Sequence, residues 1–295
     1  MDSNHEIEKT VDRQRTLMAV LAHPDDETFG MGGTLALYAR RGVAVHLVCA
    51  TRGEVGMVDE EHMQGFQSVG EARENELRCA AGMLGLTGVH FLGYRDSGMT
   101  GTPDNTHPQA LAAAPLEEVA AKVAHLIRQH RPQVVITFDP IGGYRHPDHI
   151  AIHQATVKAF QYTSDPAFPD DLPPHQPERL YFHTISRRML RWVVKIMPLI
   201  GRDPRKWGRN EDIDLTALAV EDFPVHAVID YQPVVELKQK ASACHASQGG
   251  ATMSRSLIGW ALRRGSAKEL FMQAYPAPSS SRRVEDLFEG VTVTP

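Results

Sequence analysis

Two short motifs that combine histidine with aspartate lie far apart in this chain of 295 residues. The first is AHPDDE at residues 22–27, and the second is HPDH at residues 146–149. Each directly follows an apolar run that is typical of a buried strand. Open catalytic zinc sites use imidazole and carboxylate ligands and leave one position for water or substrate. The two motifs therefore predict a hydrolytic metal centre.

The first candidates for metal ligands are His23, Asp25, Asp26 and His149. Because Asp25 and Asp26 are adjacent in an irregular loop, one side chain can bind a metal while the other faces the reacting water. His146 and His149 are three residues apart at the mouth of a predicted helix. One of them can therefore be a ligand while the other reaches the substrate. The residues alone leave open which member of each pair takes which role.

The elements that must position these side chains alternate between strands and helices over the first 160 residues. The predicted strands lie at residues 16–22, 43–50, 89–92, 134–138, 180–185 and 217–220. The predicted helices lie at residues 30–41, 66–86, 116–130, 148–160, 232–246 and 256–274. Such alternation is typical of a parallel sheet covered by helices on both faces, which binds its ligands at the carboxyl ends of the strands. We therefore predict an α/β fold: a Rossmann-like three-layer domain with a mostly parallel sheet.

The composition predicts one main domain at residues 16–275, between a flexible tail at residues 1–15 and a C-terminal extension at residues 276–295. A basic helical insert in the C-terminal half, at about residues 187–214, interrupts the pattern. Its residues 187–210 carry eight Lys or Arg among apolar side chains and only one acid. A basic amphipathic helix could touch a membrane surface. We favour packing on the domain or on another subunit, at the border of the active site, because a basic moment alone is a weak membrane signal.

Several partners are not expected from the composition. The net charge of −5 gives no reason to expect a nucleic acid, and the apolar runs are too short for stable membrane anchoring. The first ten residues lack the apolar region of a signal peptide, so we expect a cytoplasmic protein. In that compartment Cys49, Cys79 and Cys244 are predicted to be buried free thiols.

The run AHPDDETFGMGGTL, followed later by GGYRHPDH, resembles the LmbE-like (PIG-L) family of zinc-dependent N-deacetylases. The resemblance covers residues 16–160 and a patch at residues 238–248. The segment GYRDSGM at residues 93–99 makes the chain most similar to the branch of mycothiol deacetylase and mycothiol S-conjugate amidase. The basic insert matches no motif of that branch, so the resemblance leaves the identity of the substrate open.

The resemblance implies a role for each residue of the two motifs. His23, Asp26 and His149 match the ligands of Zn²⁺, although Fe²⁺ or Co²⁺ could use the same set. Asp25 matches the general base that takes a proton from zinc-bound water. His146 matches the histidine that stabilises the oxyanion or protonates the leaving amine.

Further residues receive roles from the same resemblance. Asp148 matches the acid that orients the catalytic histidine, and Tyr144 matches a mobile tyrosine near the oxyanion. Arg73, Asp96 and His245 match residues that contact the substrate. The residues alone favour a solvated charge on a helix for Arg73 and a simple turn at Asp96 over a role in binding.

The leading hypothesis is therefore a zinc-dependent hydrolase that removes acetate from a small-molecule N-acetylglucosamine-type sugar or sugar conjugate. One alternative is an amidase that cleaves larger acyl groups from glucosaminyl thiol conjugates. Another is a non-catalytic sugar-binding module on the same fold. Such a module would not need the full set of acids and bases in the two motifs. A homo-oligomer is left open by the sequence.

Overall fold

Seven strands form one sheet in the computed structural model, which describes residues 15–207, 213–250, 267–278 and 280–292. They are β1 (Thr16–Leu21), β2 (Ala44–Thr51), β3 (Gly88–Tyr94), β4 (Val134–Phe138), β5 (Arg179–Thr184), β6 (Ala227–Asp230) and β7 (Lys268–Tyr275). Their order across the sheet is β3-β2-β1-β4-β5-β7-β6. The first five strands pair in parallel, and β7 runs antiparallel to both β5 and β6.

Helices cover both faces of this sheet. They are α1 (Asp26–Arg40), α2 (Val69–Leu84), α3 (Leu116–His130), α4 (Gly142–Arg145), α5 (Pro147–Tyr162), α6 (Arg187–Ile196), α7 (Leu215–Leu218) and α8 (Val235–Cys244). Helices α1, α2 and α8 pack against one another, and α3 packs against α5. The predicted mostly parallel α/β architecture with three layers is thereby confirmed. None of the described helices is long and apolar enough to cross a membrane.

The strand order explains where a ligand can bind. From β1 the chain builds outward through β2 to β3, and it then returns to place β4 on the other side of β1. This reversal opens a crevice at the carboxyl ends of β1 and β4, where open α/β sheets bind their ligands. The two motifs follow these two strands. β1 is fully buried, which is typical of a central parallel strand.

The first helix begins earlier than the glycine run suggests. We predicted a start at Gly30, but α1 begins at Asp26, with Asp25 at its N-cap and two acids in its first turn. Carboxylates are favourable there because they face the positive end of the helix dipole. The glycines serve close packing instead. A Cβ at Gly33 would lie 2.1 Å from the Tyr231 ring, so only glycine lets the helix approach this closely.

Two predictions in the C-terminal half are wrong. The strand predicted at residues 217–220 is instead α7, which begins at Leu215 because the Asp214 side chain accepts hydrogen bonds from the backbone N–H groups of the first turn. The helix predicted at residues 256–274 ends as β7, because Lys268–Tyr275 pairs on both sides and pairing outweighs local propensity. Residues 256–266 of that prediction lie outside the described residues. Strand β6 was missed.

The last described segment packs onto the core. Leu287 and Phe288 are buried, and the Tyr38 hydroxyl donates a hydrogen bond to Asp286 at 2.7 Å. The proposed division into tail, domain and extension stays a prediction, and residues 1–14 of the tail lie outside the described residues.

The cysteine prediction needs a correction. Cys79 and Cys244 form a disulfide bond, with 5.8 Å between their Cα atoms, whereas Cys49 is the buried free thiol that we expected. The two bonded cysteines are 165 residues apart. They meet because α2 packs against α8, a tertiary contact that spacing in the sequence does not reveal.

Candidate active site

The first motif lies where β1 ends and α1 begins. His23 is buried in the connecting turn, Asp25 is the N-cap residue and Asp26 is the first residue of the helix. Asp25 has a φ of 121°, a left-handed conformation that residues with a Cβ rarely adopt. Such strain is concentrated at functional sites, where the surrounding structure enforces it.

The second motif lies at the start of α5, after β4 and the short α4. His146 is the N-cap residue, Pro147 fills the first helical position and His149 points from the first turn. The Nδ1 atom of His146 accepts a hydrogen bond from the backbone N–H of Asp148 at 3.2 Å. Proline thus sets the turn, and the helix start holds both histidines at the crevice.

Two ring nitrogens and the two Asp26 carboxylate oxygens lie close together. His23 Nδ1 is 3.2 Å from His149 Nε2, Asp26 Oδ1 is 3.2 Å from His149 Nε2, and Asp26 Oδ2 is 3.6 Å from His23 Nδ1. Bonds of about 2.0–2.2 Å to a tetrahedral zinc place neighbouring ligand atoms about 3.3–3.6 Å apart. His23, Asp26 and His149 are therefore close enough together to hold one metal ion between them.

Hydrogen bonds to the far side of each histidine fix the free ring nitrogen. His149 Nδ1 lies 3.2 Å from the carbonyl oxygen of Gly142, which can only accept, so Nδ1 carries the proton and Nε2 is free. His23 Nε2 lies 3.0 Å from Asp148 Oδ2, and this contact in turn frees Nδ1. The two free nitrogens are the two that face Asp26. Such outer partners orient metal-binding imidazoles and raise their basicity.

The carboxylates give the cluster a negative surrounding. Burial opposes protonation of His23, but Asp96, Asp148 and Asp26 together hold the pKa of its imidazole well above its usual range. Burial likewise opposes ionisation of Asp26, yet His149 and His23 hold the pKa of that carboxyl well below its usual range. The same negative charge attracts a cation. Ligand atoms of His23, His146 and His149, and likewise those of His23, Asp96 and Asp148, lie within 4.8 Å of one another, so this His and Asp group is able to bind a metal.

Asp148 contacts a different partner from the one we predicted. Its carboxylate accepts hydrogen bonds from the backbone N–H and the hydroxyl of Ser97 and lies against His23, not against the ring of His146. Asp148 touches His146 through its backbone N–H alone among the contacts of the described residues. The structure therefore places Asp148 behind His23 and leaves the orientation of His146 to the helix start.

Asp25 is held beside the cluster by Arg73. Arg73 is buried and donates to the backbone carbonyls of Gly53 at 2.9 Å and Pro24 at 2.7 Å, as well as to Asp25 Oδ2 at 3.2 Å. Burial raises the pKa of Asp25 to about 6, although Arg73 opposes this shift. Arg73, which we predicted as a substrate contact, lines the cavity and also anchors the loop that carries Asp25.

His146 and Tyr144 complete the wall around the cluster. The His146 ring centre lies 4.5 Å from that of His23, and Tyr144 packs edge-on to His149 with 4.8 Å between ring centres. Burial, followed by the charges of His23 and His149, lowers the pKa of His146 to about 2. Burial also raises the pKa of Tyr144. Both side chains are therefore neutral hydrogen-bonding groups at neutral pH.

The predicted substrate contacts Asp96 and His245 lie in different surroundings. Asp96 lines the cavity and is 3.5 Å from His23 Nε2. His245 is fully buried, and its Nε2 lies 2.7 Å from Glu27 Oε1. It is not among the cavity-lining residues of the described chain.

Sequence reasoning missed Glu27 as a supporting residue. It is fully buried, accepts a hydrogen bond from the backbone N–H of Asp25 at 3.0 Å and contacts His245 through its other oxygen. Its position at the end of the AHPDDE motif could have identified it from the sequence. His183 was also missed. It lines the cavity at the end of β5, with no motif around it.

A cavity of about 580 Å³ opens above the cluster. Cavities of about 300–1,000 Å³ typically bind small molecules. One side carries the polar groups of the two motifs together with Arg73 and Asp96. The other side is apolar and includes Trp207, Ile213, Leu215 and Leu218 from the insert region.

The basic insert packs on the domain, as we favoured. Its first residue, Arg187, is buried and lies 3.2 Å from Asp139, which follows β4. Leu190 and Met197 form a small apolar cluster with Leu215 and Leu218. The insert therefore borders the cavity, whereas its residues Trp192, Ile196 and Leu199 stay exposed.

The chain thus combines an α/β fold with a His and Asp group that is able to bind a metal. The family profile described as "PIG-L: GlcNAc-PI de-N-acetylase" matches residues 18–160. Relatives named 1D-myo-inositol 2-acetamido-2-deoxy-alpha-D-glucopyranoside deacetylase are similar over most of the chain. The protein of Thermobifida fusca is 37% identical, with 88% of this chain and 91% of that protein covered. The protein of Acidothermus cellulolyticus is 36% identical, with 95% and 96% covered. The chain therefore belongs to the PIG-L (LmbE-like) family.

Solved structures confirm the fold at low identity. N,N'-diacetylchitobiose deacetylase from Pyrococcus horikoshii matches with a TM-score of 0.60 at 21% identity, covering 91% of this chain and 87% of that chain. The 4-carboxy-2-hydroxymuconate hydratase GalB from Pseudomonas putida KT2440 matches with a TM-score of 0.58 at 18% identity, covering 90% and 99%. Because a deacetylase and a hydratase share this fold, the fold alone does not define the reaction.

Proposed function

We propose that this protein is a zinc-dependent N-deacetylase that releases acetate from an N-acetylglucosamine glycoside of inositol type. The observation that carries the proposal is the cluster of His23 Nδ1, Asp26 and His149 Nε2, whose ring nitrogens are freed by outer hydrogen bonds, beside Asp25, which Arg73 holds in place. The sugar comes from the names of relatives that are 34–38% identical over most of the chain.

The donor set fits zinc. Two imidazoles and one carboxylate are a common ligand set of catalytic zinc, and thiolates are not needed. When bound, the metal supplies Lewis acidity and lowers the pKa of the attacking water. The three side chains hold it at the crevice, and the remaining groups act on the substrate.

Asp25 takes the proton of the attacking water. Burial gives its carboxyl a pKa of about 6, which suits a base that works near neutral pH. Arg73 and the backbone bond to Glu27 hold it in place, so little reorganisation is needed. The same carboxyl then returns the proton to the amide nitrogen as the C–N bond breaks, which releases acetate and the free amine.

His146 stabilises the negative charge that develops on the carbonyl oxygen. Its Nδ1 accepts the backbone N–H of Asp148, so Nε2 carries the ring proton and can donate it as a hydrogen bond. A donor aimed at the oxyanion of a tetrahedral intermediate accelerates acyl transfer. Tyr144 is neutral and lies next to His146, and its hydroxyl supplies a second hydrogen-bond donor.

The cavity supports a sugar conjugate as the substrate. Asp96 and Arg73 offer an acceptor and a donor for sugar hydroxyls on the polar side. Trp207 and the other apolar residues of the insert region contact the less polar face of a ring or of the aglycone. The insert therefore selects the part of the substrate beyond the glucosamine.

The test compares two amides of the same sugar glycoside, one with an acetyl group and one with a bulky acyl group. We expect the parent protein to release acetate and to leave the bulky amide intact. Asp25→Asn is expected to keep the metal and to lower the rate by about 10²–10⁴-fold, because it removes the base. Asp230→Asn, which changes an exposed aspartate at the end of β6, is the matched control and should retain the rate of the parent.

Other outcomes would replace the proposal. Preferential cleavage of the bulky amide would favour the amidase alternative. Binding of the glycoside without turnover, by metal-loaded protein, would favour a sugar-binding module.

A further inference from the structure

A second cluster of histidines lies away from the proposed catalytic centre. It consists of His46 in β2, His90 in β3 and His130 at the end of α3, all half-buried. One ring nitrogen of each lies within 4.8 Å of the others. The histidines of β2 and β3 are near the amino ends of their strands, whereas the proposed catalytic residues follow the carboxyl ends of β1 and β4. The two clusters therefore lie at opposite ends of the parallel strands.

The closest contact in this cluster joins two nitrogens. His46 Nδ1 lies 3.2 Å from His90 Nε2, which is close to the spacing of two nitrogens on one tetrahedral metal ion, about 3.3 Å. The His130 ring centre lies 4.2 Å from that of His46 and 4.4 Å from that of His90. The rings of His46 and His130 are stacked, and a nitrogen of each of the three rings nevertheless lies within 4.8 Å of the others.

Two further observations point to a ligand. The Nε2 atom of His130 is buried and has no hydrogen-bond partner within the described part of the chain. An unpaired buried nitrogen is costly, and it calls for an explanation such as an ion. In addition, a Cβ at Gly88 would lie 3.1 Å from both His46 Nδ1 and His90 Nε2. The glycine therefore keeps the space in front of these two nitrogens open.

The charge state of the cluster suits metal binding. Burial lowers the pKa of all three histidines. The neighbouring rings lower the pKa of His46 and that of His130 further, and the pKa of His46 falls to about 4. At neutral pH the imidazoles are therefore unprotonated, which is the form that binds metals. A ligand set of imidazoles alone suits zinc, copper, iron or nickel and does not suit calcium or magnesium.

We propose that His46, His90 and His130 form a second metal site, which binds a divalent first-row transition-metal ion such as Zn²⁺. The ion ties β3, the edge strand of the sheet, to β2 and to the end of α3. Because three separate elements are joined at one point, the ion is expected to stabilise this part of the fold. An ion that binds the folded chain and not the unfolded chain stabilises the folded state.

The first experiment counts zinc in the full chain after loading and dialysis. His90→Phe and His130→Phe keep a ring and remove the ligand atoms, and each is expected to bind one zinc ion fewer than the parent. His125→Phe changes an exposed histidine of the same helix and should bind the number that the parent binds. Because the result is a difference, it does not depend on whether the proposed catalytic centre holds a metal. Equal zinc content in all four proteins would overturn the proposal.

A second experiment needs no substitution, so it tests the metal site even if the variants fail to fold. The parent is treated with diethyl pyrocarbonate with and without zinc, and the modified histidines are identified by mass spectrometry. We expect zinc to protect His46, His90 and His130 and to leave His125 equally reactive. Unchanged labelling of the three histidines in the presence of zinc would contradict a metal site.

Discussion

At the scale of single residues, the partner on the far side of each histidine decides what the ring can do. Gly142 and Asp148 turn the free nitrogens of His149 and His23 toward Asp26, whereas the helix start occupies Nδ1 of His146. The motifs predicted that these side chains would lie together. They could not reveal that Asp148 supports His23, because Ser97 and His23 reach it from other parts of the chain.

The ligand role of His149 can be tested by substitution. We predict that His149→Ala loses both the bound metal and the activity, because two ligands are too few for a stable site. Metal content and acetate release measure the two effects. His153→Ala is the matched control, since His153 is also buried in α5 and contacts a backbone carbonyl, that of Phe138, at 2.8 Å. A His149→Ala protein with full metal content would rule out this ligand.

His146 should behave differently. We predict that His146→Ala retains the metal and lowers turnover by about 10²–10³-fold, the loss expected when one donor to an oxyanion is removed. Single-turnover kinetics and metal analysis on the same preparation measure both. An unchanged rate would remove His146 from the mechanism. Loss of the metal would instead make it a ligand together with the other two histidines.

At the scale of elements, the strands of the parallel sheet and the amphipathic helix α3 were the most predictable part. Residues 116–130 and 134–138 were predicted with the observed bounds, because α3 has a clear apolar stripe and β4 is a continuous apolar run. The helix start at Asp26 and the strand β7 were not predicted from the sequence. The helix start depends on the backbone carbonyl of Asp25, which accepts hydrogen bonds from the first turn, and β7 depends on pairing with strands far away in the sequence.

The close packing of α1 gives a prediction at this scale. Gly33→Ala is expected to lower the free energy of unfolding by about 1–3 kcal/mol, because the new methyl group would clash with Tyr231 and overpack the core. Urea denaturation measures this change. Gly82→Ala is the control in α2, where a Cβ meets open space and should raise stability by up to about 1 kcal/mol. Equal effects of the two substitutions would show that α1 has room to shift.

At the scale of the whole molecule, the sequence predicted the fold class and the edge of the sheet where the site lies. Alternating elements and two motifs after strands were sufficient for both. The disulfide between Cys79 and Cys244 could not be predicted, because it depends on how α2 and α8 pack. The contribution of the insert to the cavity likewise depends on tertiary packing, which places Trp207 beside the site.

The disulfide predicts a thiol count. Protein denatured without reductant should show one reactive thiol per chain, from Cys49, and three after reduction. Reduction should also lower the free energy of unfolding by about 2–4 kcal/mol, because it releases a long covalent loop. Three thiols before reduction would show that Cys79 and Cys244 are not joined in the isolated protein.

Metal-dependent acetate release tests the central claim most directly. The substrate is 1D-myo-inositol 2-acetamido-2-deoxy-alpha-D-glucopyranoside. The full chain is assayed before chelation, after removal of the chelated metal and after return of two equivalents of Zn²⁺, one for each proposed site. We predict acetate release that is lost on chelation and restored by zinc. Release that continues undiminished in metal-free protein would contradict the account, because the catalytic role given to His23, Asp26 and His149 would then have no basis.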